Sequence, residues 1–323
     1  MYDNGKPEKS IADLLVSGQN VEVNSAFDDR LIQKFRIAGQ KVLPDIVVIG
    51  SSRTMQIGSN VFPDKYVINN AVPNCSLGDF LGIIFNYDKK KEFPRTMVLG
   101  VDPWLFNSSD GKYMWETYKD DTFGMLKKLK IPLWIFRAPL IPAPIANIFS
   151  LSYFQWSVIV FRQNKPQDHL FFPTSQEIDQ DDVLLRDGRR SYNIPCRTMS
   201  VEDVEKKANS VINTQVQDFS FREPDRGWED IWEKLISYLQ SEHVNVVFFL
   251  APYHPIVYNS FLVSEQNKRI VEFENYYRDF AKRHKLKILG SYDPSKVGLS
   301  ENDFYDGEHA SKEAVEKIFR QGW

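Results

Sequence analysis

The chain has 323 residues, 42% of them hydrophobic and 26% charged, a composition that fits a globular protein and excludes a disordered, fibrous or membrane-embedded one. A net charge of −3 with no concentrated basic face excludes the electrostatic footprint that nucleic acid requires. Cys75 and Cys196 stand too far apart for metal-ligand spacing and are too few for a disulfide framework, which leaves the redox compartment open.

The opening MYDNGKPEKS is polar, with no charged segment leading into an apolar one. No signal peptide is expected there, and the segment reads either as a native terminus or as the stub left after loss of a leader or membrane anchor. DIVVIG at 45–50 is a short β-branched run closed by Gly50 and two serines, which predicts a buried parallel strand. KYVINNAV at 65–72 and TMVLGVD at 96–102 repeat that pattern, and Leu77, Phe80, Leu81, Ile84 and Phe85 between them recur at helical spacing. Lys89–Lys91, beside Glu92 and Pro94, reads as a solvated helix end.

Residues 103–226 interrupt the alternation for far longer than the dozen or so residues a crossover needs, so they read as an insertion or cap subdomain within a single domain spanning 1–323. Ala138–Phe161 lacks any charged residue and has the length of a membrane span, but Pro139, Pro142, Pro144 and several polar side chains favour a helical cap against the main domain, with a lipid-touching surface as the alternative. RDGRRSY at 186–192 holds a DG turn signal and predicts a surface hairpin or loop.

The alternation then resumes. Trp228, Ile231, Trp232, Leu235 and Leu239 mark a helix, 244–251 a strand, about 262–284 a helix, 285–292 a last strand, and Ala314, Ile318 and Phe319 a closing helix. The expected fold is α/β: a doubly wound, mainly parallel sheet sandwiched by helices in three layers, with ligands at the carboxyl ends of the strands.

Two segments carry chemistry. GSSRT at 50–54 follows a strand and precedes a helix, where a hydroxyl stands exposed beside helix-N-terminal amides; the competing reading is that Ser51 or Ser52 merely caps the helix. DGEH at 306–309 places Asp306 and His309 in one turn, able to supply the base and orienter that a serine nucleophile needs; the competing reading is a surface turn.

With both segments in one chain, the sequence resembles the SGNH hydrolase superfamily, also called GDSL esterases, across residues 45–102 and 228–320. The resemblance implies Ser52 as nucleophile, Asp306 as orienter and His309 as general base, with no cofactor and no metal. The family's second block, which offers an oxyanion-hole amide, falls on NNAVPNCS at 69–76 and points to Cys75 or Asn74. The third block usually presents an asparagine donor, and here GVDPW at 100–104 has Asp102, which when ionised only accepts hydrogen bonds. The hole then falls to two backbone amides, or to Asn107. Arg53, beside the nucleophile, joins the candidate oxyanion and substrate contacts. So does His254 in APYHP at 251–255, for which a packed turn residue is the other reading.

The pattern of GSSR, GxDPWxFN and DGEH is most similar to extracytoplasmic bacterial SGNH proteins that work beside membrane-bound O-acyltransferases. That likeness implies an acyl ester or carbohydrate substrate, a periplasmic or cell-envelope location, and an anchor preceding Met1. Its rival is a scaffold or binding protein that keeps the fold with little catalysis, for which Asp102 speaks. Asp303, Asp306, Glu308 and His309 lack the second histidine usual in a catalytic zinc site, Cys75 has no partner base, and neither GxGxxG nor a Walker motif supports nucleotide binding at Gly50. His169, His243 and His284 have no acidic or cysteine partner at useful spacing and read as surface residues.

Overall fold

The β-branched runs become strands because their side chains alternate between two apolar layers. The computed structural model describes residues 5–107, 114–133, 170–215, 225–263 and 269–323. In chain order its elements are α1 (Lys6–Val16), β1 (Asn20–Val23), α2 (Asp29–Gly39), β2 (Ile46–Ile49), β3 (Val67–Asn69), α3 (Leu77–Lys90), β4 (Thr96–Gly100), α4 (Lys119–Lys128), β5 (Phe171–Thr174), β6 (Asp182–Leu184), β7 (Arg190–Ser191), α5 (Ile194–Arg197), α6 (Val201–Gln215), α7 (Arg226–Ser241), β8 (Asn245–Leu250), α8 (Pro255–Val263), α9 (Arg269–His284), β9 (Lys287–Gly290) and α10 (Lys312–Gly322).

The main sheet has the order β3-β2-β4-β8-β9, and every pairing in it is parallel. Val47, Ile49, Leu99 and Phe248 point into a core shared with α3, α7 and α9, while Ile46, Val48, Val98 and Phe249 point into a second core with α10. Covering both faces is what lets such strands be apolar throughout. Trp232 is fully buried among Phe80, Phe106 and Phe248. Truncating a residue so placed costs about 3–5 kcal/mol. The chain leaves β2 toward β3 on one side and later places β4 on the other. That reversal makes the carboxyl end of β2 a topological switch point, the usual place for a ligand crevice.

A second, antiparallel sheet has the order β5-β1-β6-β7. It joins a strand near the amino terminus to the segment that interrupts the main alternation, over a small core of Ile11, Leu15, Val21, Ile32 and Leu184.

Several local expectations change. Of the helix expected over 262–284, residues 269–284 form α9, 262–263 close α8, and 264–268 lie outside the described residues; α8 opens at Pro255 because proline's missing N–H costs nothing in a first helical turn. The DG hairpin at 186–192 is not a surface feature: Asp187 and Arg189 are buried, and Gly188 takes φ +88 with no room for a Cβ against the Asn69 carbonyl. At the end of α3, Lys89, Lys91 and Glu92 are exposed as expected, while Lys89 also pairs with Asp121 at 2.7 Å and Lys90 donates to the Gln40 carbonyl at 2.7 Å. His284 does have an acidic partner, Glu233 at 2.6 Å, because two helices bring together what sequence spacing separates. His243 is exposed, and His169 and the apolar stretch at 138–161 lie outside the described residues. Among the described residues no helix is long and apolar enough to cross a membrane.

Candidate active site

Ser51 and Ser52 divide the work that capping and chemistry would ask of one serine. After β2 the chain makes a 3-10 turn over Ser52–Thr54, capped by Ser51, whose hydroxyl accepts from the Arg53 amide at 3.3 Å. Thr54 donates its hydroxyl to the Ser51 carbonyl at 2.8 Å, and the Asn69 side chain holds the Thr54 and Ile57 carbonyls at 2.8 Å each. With the turn locked and Ser51 spent on the cap, the Ser52 hydroxyl is left to face outward. It is half-buried.

The DGEH turn is a closed loop between β9 and α10. The Tyr305 backbone amide donates to the His309 carbonyl at 2.9 Å and the Ser311 amide to the Asp303 carbonyl at 2.8 Å, while the His254 amide donates to the Gly307 carbonyl at 3.0 Å. Inside it, Asp306 Oδ1 accepts from the amides of Glu308 and His309 at 2.8 and 2.9 Å. Asp306 Oδ2 lies 2.8 Å from His309 Nδ1, and His309 Nε2 lies 2.8 Å from Ser52 Oγ. With Asp306 ionised, Nδ1 carries the ring proton and Nε2 accepts from the serine hydroxyl.

Burial alone would raise the Asp306 pKa, but the hydrogen bond and charge of His309 and the two amides outweigh it and hold the carboxyl down to about 2. Burial alone would lower the His309 pKa; Asp306 and then Glu308 outweigh that, Arg53 opposes them, and the net shift is upward. The side chains of His309 and Asp306 keep 20% and 28% of their surface, so the pair is shielded yet reachable.

The oxyanion candidates divide. Neither the Ser52 nor the Cys75 amide has a hydrogen-bond acceptor among the described residues. Cys75 sits in a loop held from below: Arg30 pairs with Asp79 at 2.7 Å and donates to the Pro73 carbonyl at 2.9 Å, and Asp79 accepts from the Ser76 amide at 2.8 Å. Asn74, in the same loop, is exposed at φ 50. The Cys75 thiol is buried, which pushes its pKa well up and leaves it a poor nucleophile. Asn107 is buried at the end of the 3-10 turn Pro103–Phe106, with its amide on the Trp104 carbonyl.

Asp102, Arg53 and His254 are all buried. Asp102 is buried against Arg53 at 2.7 Å and hydrogen-bonded by Ser51; burial pushes its pKa up against the pull of Arg53. His254 is fully buried and caps α8, Nδ1 accepting from the Ile256 amide at 3.2 Å and its carbonyl from Tyr258, so its part is to hold a helix start and the DGEH turn. Tyr192, from the hairpin after β6, was not among the candidates. Its ring meets His309 edge-on at 5.9 Å and Tyr305 at 5.2 Å, a contact no local pattern announces.

No group of histidine, cysteine and carboxylate side chains among the described residues is arranged to hold a metal ion. A cleft of about 580 Å³ beside β1, lined by Asn20, Ser59, Thr174 and Arg189, shares no residue with the Ser52–His309 cluster.

No protein-family profile matches the chain, and no curated protein does. Among solved structures, the chain is similar to one from Bacteroides fragilis described as a putative acylhydrolase, at 12% identity and a TM-score of 0.41, over 92% of this chain and 97% of that one.

Proposed function

We propose that the chain is a serine-dependent acyl-ester hydrolase or O-acyltransferase that works through an acyl-Ser52 intermediate. One observation carries this reading: the continuous hydrogen-bond path from Ser52 Oγ to His309 Nε2 and from Nδ1 to Asp306, 2.8 Å at each step. A serine hydroxyl is a weak nucleophile until a positioned base takes its proton. Here His309 takes the Ser52 proton as Oγ bonds to the ester carbonyl carbon and the carbonyl electron pair moves to oxygen, while Asp306 stabilises the imidazolium. The Ser52 and Cys75 amides are the donors for that oxyanion, each worth about 3–4 kcal/mol in such a site. Collapse re-forms the carbonyl, the bond to the leaving oxygen breaks, and His309 returns the proton to it. An acceptor hydroxyl then attacks acyl-Ser52 along the same path in reverse.

Water as acceptor makes the protein an esterase; a sugar hydroxyl makes it a transferase. The resemblance of GSSR, GVDPWLFN and DGEH supports an acetylated carbohydrate of the cell envelope or an exported polysaccharide as substrate, an extracytoplasmic setting, and a membrane-bound O-acyltransferase as partner. A second reading, a catalytically weak scaffold of the same fold, is favoured by Asp102, whose carboxylate is bound to Arg53 and offers no donor to an oxyanion.

Hydrolysis of p-nitrophenyl acetate by the wild type, Ser52→Ala and His309→Ala separates the two readings. The enzyme reading expects activity in the wild type alone; an inert wild type with retained carbohydrate or partner binding by Ser52→Ala supports the scaffold. Acetate release unaffected by any polysaccharide acceptor would count against transfer.

A further inference from the structure

Three segments of the site meet at one guanidinium. Arg53 Nη1 donates to Asp102 at 2.7 Å beyond the carboxyl end of β4, Nη2 donates to the Ala251 carbonyl beyond β8, and Nε donates to the Glu308 carbonyl at 3.4 Å, between Asp306 and His309 in the chain. The Tyr253 ring covers one face, its centroid 3.7 Å from the central carbon. The side chains of Arg53 and Asp102 keep 1% and 5% of their surface, so neither is placed to touch a substrate. A buried ion pair is a weak source of stability, because desolvation offsets most of the attraction, and stability alone is a poor account of its presence.

The chain next to Arg53 gives the better account. Its neighbour is Ser52, and its Nε bond reaches into the turn that carries His309, 257 residues away from the serine it must meet. We propose that Arg53, anchored by Asp102, is a positioning residue that sets the distance between the Ser52 turn and the His309 turn, and with it the Ser52 Oγ–His309 Nε2 hydrogen bond. A planar fork suits this task. Its five N–H donors are held in one rigid plane, where lysine's ammonium offers three around a single atom on a flexible stem. Asp102 then keeps the fork's rotation, and the Ser51 hydroxyl on Asp102 ties the anchor back to the turn it serves.

The catalytic consequence rests on the acyl-transfer reading; the geometric claim does not. The test uses the full chain with ¹⁵N-labelled histidine, His309→Gln to assign the resonance, and Ser52→Ala to mark where His309 Nε2 resonates without its serine partner. In Arg53→Lys and Asp102→Asn the Nε2 resonance is expected to move toward its position in Ser52→Ala. Phosphonylation of Ser52 by a fluorophosphonate is expected to slow on the order of 100-fold, the cost of misplacing reacting groups by about an ångström. Asp102→Asn keeps the side chain's shape, so it serves where Arg53→Lys fails to fold. A folded variant whose Nε2 resonance stays at the wild-type position overturns the proposal, as does an Asp102→Asn protein that reacts faster than the wild type, which would put position 102 in the oxyanion hole. If wild-type Ser52 is never phosphonylated, the acyl-transfer reading fails and the resonance alone decides the positioning role.

Discussion

Asp306→Asn separates the electrostatic work of the site from its shape. The carboxylate accepts two backbone amides and faces His309 Nδ1 at 2.8 Å, and those bonds bring its pKa from an ordinary 3.8 down to about 2. A drop of that size corresponds to about 2 kcal/mol of stability by linkage, present above the unfolded value and lost as pH falls through about 2. Asparagine can still accept from the amides of Glu308 and His309, so the stability lost at neutral pH should not exceed that figure. The catalytic loss should be far larger, because a neutral amide neither stabilises the imidazolium nor enforces the Nδ1–H tautomer; in serine triads that change costs about ten-thousand-fold in kcat. The assay is p-nitrophenyl acetate hydrolysis beside thermal melts of wild type and variant from pH 7 downward. A folded Asp306→Asn protein within tenfold of wild-type kcat would refute the assigned role, and a melting curve with the wild type's acid dependence would refute the electrostatic origin of the stability.

Three further expectations follow from the same geometry. His309 must be neutral to accept the serine proton and its pKa is raised above 6.5, so the acid limb of a kcat/KM profile should have its midpoint above that value; a midpoint below it would contradict the Asp306 pairing. The sign for stability is opposite: protonated His309 favours the fold below its unfolded pKa, and that contribution disappears as pH rises through the folded value. Arg30→Met leaves Asp79 buried and unpaired, which should cost about 3–5 kcal/mol in denaturant melts, and should slow Ser52 phosphonylation if the Cys75 loop moves with it. Gly188→Ala puts a Cβ 2.1 Å from the Asn69 carbonyl at φ +88, and a thermal midpoint unchanged from wild type would show that this hairpin is not seated as described.

The main sheet is legible in the sequence because its strands are β-branched runs closed by glycine or polar turns, and Trp228–Leu239 keeps helical spacing without interruption. Ser52, Asp306 and His309 are legible as candidates for a related reason: both motifs are short turns whose residue types have few other uses together. The second sheet is not legible. NVEV, FFPT, DVL and RS are two to four residues long, too short for alternation to register, and three of the four lie in the long interruption. Contacts across great separation are equally silent. Asp102 stands 49 residues from Arg53, and reading it as a failed oxyanion donor misses that its charge is used to hold an arginine. His254 has two prolines beside it and looks like a loop residue, yet proline at a first helical turn and an imidazole cap are compatible with a helix beginning there.

Acyl transfer through Ser52 requires a covalent acyl group on its hydroxyl oxygen. Intact-mass and peptide mass spectrometry of protein acid-quenched during p-nitrophenyl acetate turnover reads it directly, with Ser52→Ala as control. The expected result is one added acetyl group, mapped to Ser52 and absent from Ser52→Ala; turnover with Ser52 unmodified, or an adduct that persists in Ser52→Ala, would contradict acyl transfer through this serine.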